Sequence, residues 1–168
     1  MPALLTGPGF TGCGQVHDLV SLVDLPPTLL DAAGLSVPDE MQGRSILPLL
    51  HGQRADWPEE VFVQISEAQV GRAVRTQRWK YGVNAPDRSG REHPNAPRYV
   101  EEFLYDLQVD PYELINLIGL ASHQETAAVL RERLIRRMVA AGEAAPMIEP
   151  APMRPSGQRR VSAAEAHC

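Results

Sequence analysis

The stretch "GRAVRTQRWKYGV", residues 71–83, decides the fold. Two short runs of β-branched, aromatic and basic residues, "RAVRT" and "WKYGV", are separated only by Gln77 and Arg78. Two such runs with a tight polar connection predict a β-hairpin. Strand alternation then puts Trp79, Tyr81 and Val83 on one face, Lys80 on the other, and Arg78 at the turn. In the first run Arg72 and Val74 share a side, opposite Ala73 and Arg75. Those two arginines cannot face one site unless a bulge intervenes.

The neighbours extend the hairpin into a sheet. "EVFVQISE" (60–67) alternates Val61, Val63 and Ile65 with Phe62, Gln64 and Ser66, which predicts a strand. "EEFLYDL" (101–107) predicts another. Between them, "NAPDRSGREHPNAPR" (84–98) has Pro, Asn, Gly and charge with no apolar period. Long loops of this kind inside a domain are often functional or mobile. "QVDPYELINL" (108–117) reads as a turn passing into a short helix, with Asp110 before Pro111 at its start.

"SHQETAAVLRERLIRRMVAAG" (122–142) is the clearest helix. Ser122 and Glu125 have the spacing of a capping box. Leu130, Leu134 and Met138 recur every fourth residue, with Ala127, Ile135 and Val139 beside them, and form one apolar face. That face is the natural cover for Trp79, Tyr81 and Val83. Gly142 ends the helix.

Upstream, "PALLTGPGF" predicts a short strand over residues 3–5. In "DLPPTLLDAAG", Asp24 is the N-cap, the prolines suit the first turn, and Gly34 suits the position after the last turn. The helix runs from about Leu25 to Ala33. A shorter helical turn follows from Ser45 to about Leu50. The fold class is α+β. Residues 1–56 read as the last strand–helix unit of an α/β sheet, and residues 57–143 as a small antiparallel sheet packed by a helix. Residues 144–168 are Pro- and Ala-rich without period and are expected to be disordered.

Composition removes some partners. The net charge is -5, so no global field attracts a polyanion, and nucleic acid is not expected. No apolar run approaches the roughly 20 residues of a membrane span. The N-terminus lacks a basic region and a long apolar core, so it does not read as a signal peptide. No membrane partner is expected, and localisation is cytoplasmic by default. Cys13 and Cys168 read as free thiols.

Catalytic motifs are missing. The sequence has no phosphate loop, no HExxH, no CxxC and no nucleophile elbow. Five scattered histidines show no helical metal spacing. Cys13, in "TGCGQ", has no evident base beside it. Among the carboxylates Glu67 is the most site-like, standing at a strand end ahead of Arg72. The plain alternative for it is a surface ion pair.

Three segments in order carry a family resemblance. They are "LVSLVDLPPTLLDAAGLSVPDEMQGRSILPLLHG" (19–52), "QISEAQVGRAVRTQRWKYGV" (64–83) and "FLYDLQVDPYELINL" (103–117). With "PALLTGPGF" before them and a helix after, they resemble the C-terminal part of a sulfatase, in the alkaline phosphatase-like superfamily. The resemblance covers residues 2–140. It implies a sulfuric ester hydrolase whose N-terminal α/β domain carries a Cys-x-Pro-Ser-Arg or Ser-x-Pro-x-Arg motif. The first residue of that motif becomes formylglycine, and a divalent, calcium-like cation sits beside it. Neither motif occurs in this sequence, Cys13 is followed by Gly14, Gln15 and Val16, and no family metal ligand maps onto it.

The reading is therefore a C-terminal fragment, with no cofactor of its own and not catalytic alone. Its partner would be the missing N-terminal half, and a small sulfated substrate would bind only to the full-length enzyme. A stand-alone, non-enzymatic module for an anionic ligand is the alternative. No catalytic residue and no metal ligand is assigned. The resemblance points to Arg72, near Glu67, as the one hairpin arginine for a cleft rim. Arg88, Arg91 and His93 on the long loop are the polar candidates for substrate contact.

Overall fold

The computed structural model describes residues 4–8, 10, 14–155 and 162–167. The chain separates into two compact units, residues 1–59 and 60–168.

In the first unit a single 3-10 turn, Leu22–Asp24, leads into α1, Leu25–Ala32. Asp24 organises this start: its buried carboxylate accepts from the backbone N–H of Ser21 at 2.8 Å and of Arg44 at 3.0 Å. Thr28 accepts from the N–H of Ile46 at 3.0 Å, tying α1 to the entry of α2, Leu47–Leu50. Gly34, at φ 72°, ends α1 in the left-handed conformation that a side chain disfavours. The strand expected over residues 3–5 falls partly outside the described residues, and Leu4 and Leu5 pair with nothing as a strand. Among the described residues, every ladder partner lies in the second unit.

The second unit is a five-stranded sheet in sequence order: β1 Glu60–Ser66, β2 Val70–Thr76, β3 Trp79–Asn84, β4 Arg98–Asp106 and β5 Met147–Glu149. β1 to β4 form an antiparallel meander. The expected β2–β3 hairpin forms across Gln77 and Arg78, with Arg75 opposite Lys80 and Arg72 opposite Val83. β5 runs parallel to β4. Parallel neighbours need a long crossover, and it contains α3, Gln124–Ala140. Leu130, Leu134 and Met138 of α3 meet Val70, Val74, Trp79, Tyr81, Val83, Tyr99 and Leu104 in one core, all fully or almost fully buried. Val139, expected beside that face, is instead half exposed.

Three local expectations need correction. Residues 108–117 do not become a helix: Glu113 has φ 57°, outside the helical region, and its carboxylate is held by Lys80 at 2.6 Å. Asp110 caps the resulting turn through the N–H of Ile115 at 2.8 Å. Ser122 is not the cap of α3; it lies in a 3-10 turn, Ala121–His123, and bonds the His123 ring at 2.8 Å. The segment after residue 143 is not without structure where it is described. It forms β5, and Arg154 bridges Leu120. Ala163–His167 form a 3-10 turn whose Glu165 carbonyl accepts from the Trp79 indole at 3.1 Å.

A buried carboxylate explains much of that last order. Glu101, on the core side of β4, accepts from Tyr81 Oη at 3.0 Å, Arg131 Nη2 at 2.6 Å and the N–H of Ala151 at 2.9 Å. A carboxylate in the interior requires such donors. It thereby fixes both α3 and the post-β5 segment to the sheet. Burial pushes the Tyr81 hydroxyl well above its ordinary range, so it stays a donor.

Arg72 is another buried charge. It lies on the same face as Val74, 3% exposed. Its Nε donates to Glu143 at 2.7 Å, Nη1 to the Gly71 carbonyl at 2.7 Å and the Ile65 carbonyl at 3.2 Å, and Nη2 to the Pro94 carbonyl at 2.7 Å. One guanidinium thus ties β1, β2, the 85–97 loop and the end of α3 together.

Two substitutions test this core by urea unfolding. Leu134→Ala is expected to cost about 2–5 kcal/mol, the range for a buried leucine with little room to relax. Arg72→Ala removes the cation from Glu143, leaving that carboxylate only the neutral Gln64 amide as a donor, and is expected to cost about 3–5 kcal/mol. A loss under about 1 kcal/mol for either would contradict the packing described.

Candidate functional site

The sequence candidates gather at the end of the sheet where the β1–β2 turn meets the 85–97 loop. Gly90 makes the junction. A Cβ there would lie 2.6 Å from the Glu67 carbonyl oxygen, 2.8 Å from the Glu67 nitrogen and 2.9 Å from the Gln69 oxygen. Only a residue without a side chain lets the loop seat against the turn this closely. Pro94, four residues on, is clasped from below by Arg72 Nη2 and by Ser66 Oγ at 2.6 Å.

The loop has its own backbone scaffold. Ala85 donates to the Val70 carbonyl at 2.9 Å, Arg88 to Ala85 at 3.1 Å, and His93 to Ser89 at 2.9 Å. The N–H of Ala96 donates to Tyr99 Oη at 3.0 Å. Burial pushes the Tyr99 hydroxyl up, which keeps it protonated at neutral pH.

Each candidate has a definite place. Glu67 is exposed on the turn, with its backbone against Gly90. Arg88 and Arg91 are exposed on the loop, and Arg88 Nη1 lies 3.4 Å from His93 Nε2. Arg72 lies beneath them rather than on the surface. Its acid is Glu143, 71 residues away in sequence, not Glu67. Its guanidinium also lies 5.9 Å from the Tyr99 ring centroid.

A shallow cavity of about 360 Å³ opens on the other flank of the same loop. Ala85, Pro86, Pro97 and Val100 give it an apolar floor, and Asp87, Arg88 and Arg98 a charged mouth. Arg98 is committed to Glu149 by two bonds of 2.7 and 2.6 Å. That exposed pair holds the Glu149 carboxyl below its ordinary range. Arg88 is therefore the mouth cation with its donors least engaged.

The arrangement offers polar contacts on a firm base. His123, the histidine nearest the core, packs edge-on to Trp79 at 6.2 Å, and burial lowers its pKa. It is far in the fold from the loop candidates. Among the described residues no group of three or more His, Cys, Asp or Glu side chains could hold a metal ion. The described side chains do not fit the cation that the family resemblance implies. No helix of the described residues is long and apolar enough to cross a membrane. Cys13 and Cys168 lie outside the described residues.

Comparison with known proteins agrees with the fold. Residues 1–140 match the family model described as N-sulphoglucosamine sulphohydrolase, C-terminal. Arylsulfatase K of Mus musculus is 34% identical over 127 residues, which is 70% of this chain and 21% of that protein. N-acetylglucosamine-6-O-sulfatase of Bacteroides thetaiotaomicron is 29% identical over 139 residues, 80% of this chain and 24% of that protein. The solved structure of BT4656 in complex with its substrate D-glucosamine-2-N,6-O-disulfate superposes with a TM-score of 0.57 at 27% identity. It covers 69% of this chain and 23% of that one. The chain thus spans roughly a quarter or less of the length of these relatives. Its match to the C-terminal model across residues 1–140 shows that the chain belongs to the sulfatase family.

Proposed function

We propose that this chain is the C-terminal part of a sulfuric ester hydrolase, working with an N-terminal catalytic half and inactive without it. The observation that carries the reading is the family match over residues 1–140, set against the 21–24% of the curated relatives that it spans. Sulfate ester cleavage needs an activated nucleophile and a group that stabilises charge on the sulfuryl and leaving oxygens. Neither formylglycine motif occurs in the sequence.

The chain's own contribution is recognition. Glu67, Arg88, Arg91 and His93 form a rim that contacts the sulfated substrate away from the reacting bond, with Arg72 positioning the loop from beneath. Their convergence around Gly90 and Pro94 supports this. Guanidinium groups suit sulfate and carboxylate because they present N–H donors in a planar fork.

The purified chain is expected to show no turnover of an aryl sulfate with calcium present. Measurable divalent-metal-dependent turnover by the chain alone would contradict the reading. Salt-dependent binding of a sulfated disaccharide by the chain alone would favour the stand-alone binding module. In the assembled enzyme, Arg88→Ala with Arg91→Ala is expected to raise KM roughly tenfold, about 1.4 kcal/mol, with kcat little changed. An unchanged KM would remove the rim from substrate binding.

A further inference from the structure

Trp79 is fully buried, and an indole N–H inside a protein needs an acceptor. Neither the sheet nor α3 supplies it. The acceptor is the Glu165 carbonyl at 3.1 Å, 86 residues further along, on the Ala163–His167 turn. That turn lies outside residues 1–140, the part of the chain that the family model matches.

The turn is a separate piece seated on α3. The N–H of Ala163 donates to the Glu125 carboxylate at 3.2 Å, and the Ala166 carbonyl accepts from Arg133 Nη1 at 3.4 Å. Ser162 closes the turn on itself, donating from its N–H and its hydroxyl to the Glu165 carboxylate at 3.0 and 3.1 Å. The grip on α3 is modest. Within Ala163–His167 only Ala166 is buried, so the turn hides a single methyl side chain. The Arg133 bond is long, and its Nε is spent on Glu60 at 2.6 Å. Segments with few buried apolar contacts open at small free energy while the core stays closed.

A titratable ring stands at this joint. His123, 7% exposed, bonds the Ser122 hydroxyl at 2.8 Å and meets the Trp79 ring edge-on at 6.2 Å. The charged groups acting on it come from three elements: Asp106 at the end of β4, Arg78 at the β2–β3 connection and Glu165 on the turn itself. Asp106 is engaged by Arg78 at 3.1 and 2.8 Å, and the Arg78 guanidinium lies 4.6 Å from the Trp79 centroid. Burial favours the neutral ring. Asp106 and Glu165 oppose that, Arg78 adds to it, and the neutral form gains on balance.

We propose that the Ala163–His167 turn is a pH-released latch, closed on Trp79 while the His123 ring is neutral and lifted when that ring takes up a proton. The sign follows from burial. The closed state binds the proton less readily than an open state in which water reaches the ring and it titrates in the ordinary range, near ~6.5. Closure is therefore at full strength above about pH 6.5 and is lost as the pH falls below it. The latch does not rest on the function proposed above.

The test follows the indole N–H resonance of Trp79 in the full chain by heteronuclear NMR, from about pH 7.5 to about pH 5. A variant ending at Val161 serves as the open reference. At the neutral end the two chains are expected to differ. At the acid end the wild-type resonance is expected to coincide with that of the shortened chain at the same pH, with far-UV circular dichroism unchanged. His123→Gln and His123→Phe each remove the titrating ring and are expected to hold the neutral-end position throughout. His167→Gln, exposed on the same turn, is expected to move as wild type does. Identical neutral-end resonances in the full and shortened chains overturn the latch. So does a wild-type resonance that stays put or ends elsewhere, or a step that survives both His123 variants or vanishes in His167→Gln. Loss of far-UV circular dichroism with the same midpoint overturns it as well, because the sheet is then unfolding as a whole.

Discussion

A buried guanidinium cannot shed its proton, so every N–H it carries must find an acceptor inside the protein. Arg72 imposes that demand on this fold. Its acceptors come from four places: the Ile65 carbonyl on β1, the Gly71 carbonyl on β2, the Pro94 carbonyl on the long loop and the Glu143 carboxylate just past α3. None of these is optional, because a charge left unpaired at 3% exposure costs more than any one contact returns. The junction therefore sets where the loop sits relative to the sheet. Gly90 completes it by letting the loop backbone approach Glu67 and Gln69 without a side chain between.

The consequence is a unit with two unlike faces. One is a closed core of Trp79, Tyr81, Val83 and Leu104 under α3, with Glu101 and Arg72 among its satisfied charges. The other is flat, aliphatic and open, with β1 turning its valines and isoleucine away from the core.

Local chemistry made part of this legible in the sequence. The two-residue Gln77-Arg78 connection and the alternation of Trp79, Tyr81 and Val83 marked the hairpin. The Leu130, Leu134, Met138 spacing marked the face of α3. Asp24 before Leu25-Pro26-Pro27 marked the start of α1. What stayed hidden depends on distant partners. β5 is three residues long, too short for any period, and exists because β4 offers it an edge and Glu101 accepts from Ala151 just beyond it. Glu143 follows a helix end and gives no sign that it neutralises Arg72, so the nearer Glu67 was the acid the sequence suggested. Glu113 adopts φ 57° because Lys80 and Asp110 hold its turn, which no helix propensity of "PYELINL" announces. The direction in which β1 faces was equally unreadable: alternation gives two faces and does not say which is inside.

Amide hydrogen exchange of the 85–97 loop in the full chain tests the seating of that loop most directly. The amides of Arg88, His93 and Ala96 are hydrogen-bonded to Ala85, Ser89 and Tyr99. If Arg72 and Gly90 hold the loop as described, these amides open only with the sheet, and their protection approaches that of Ala85, bonded to Val70 on β2. Exchange at the rate of an unstructured peptide, while the β2 and β3 amides remain protected, would contradict the account.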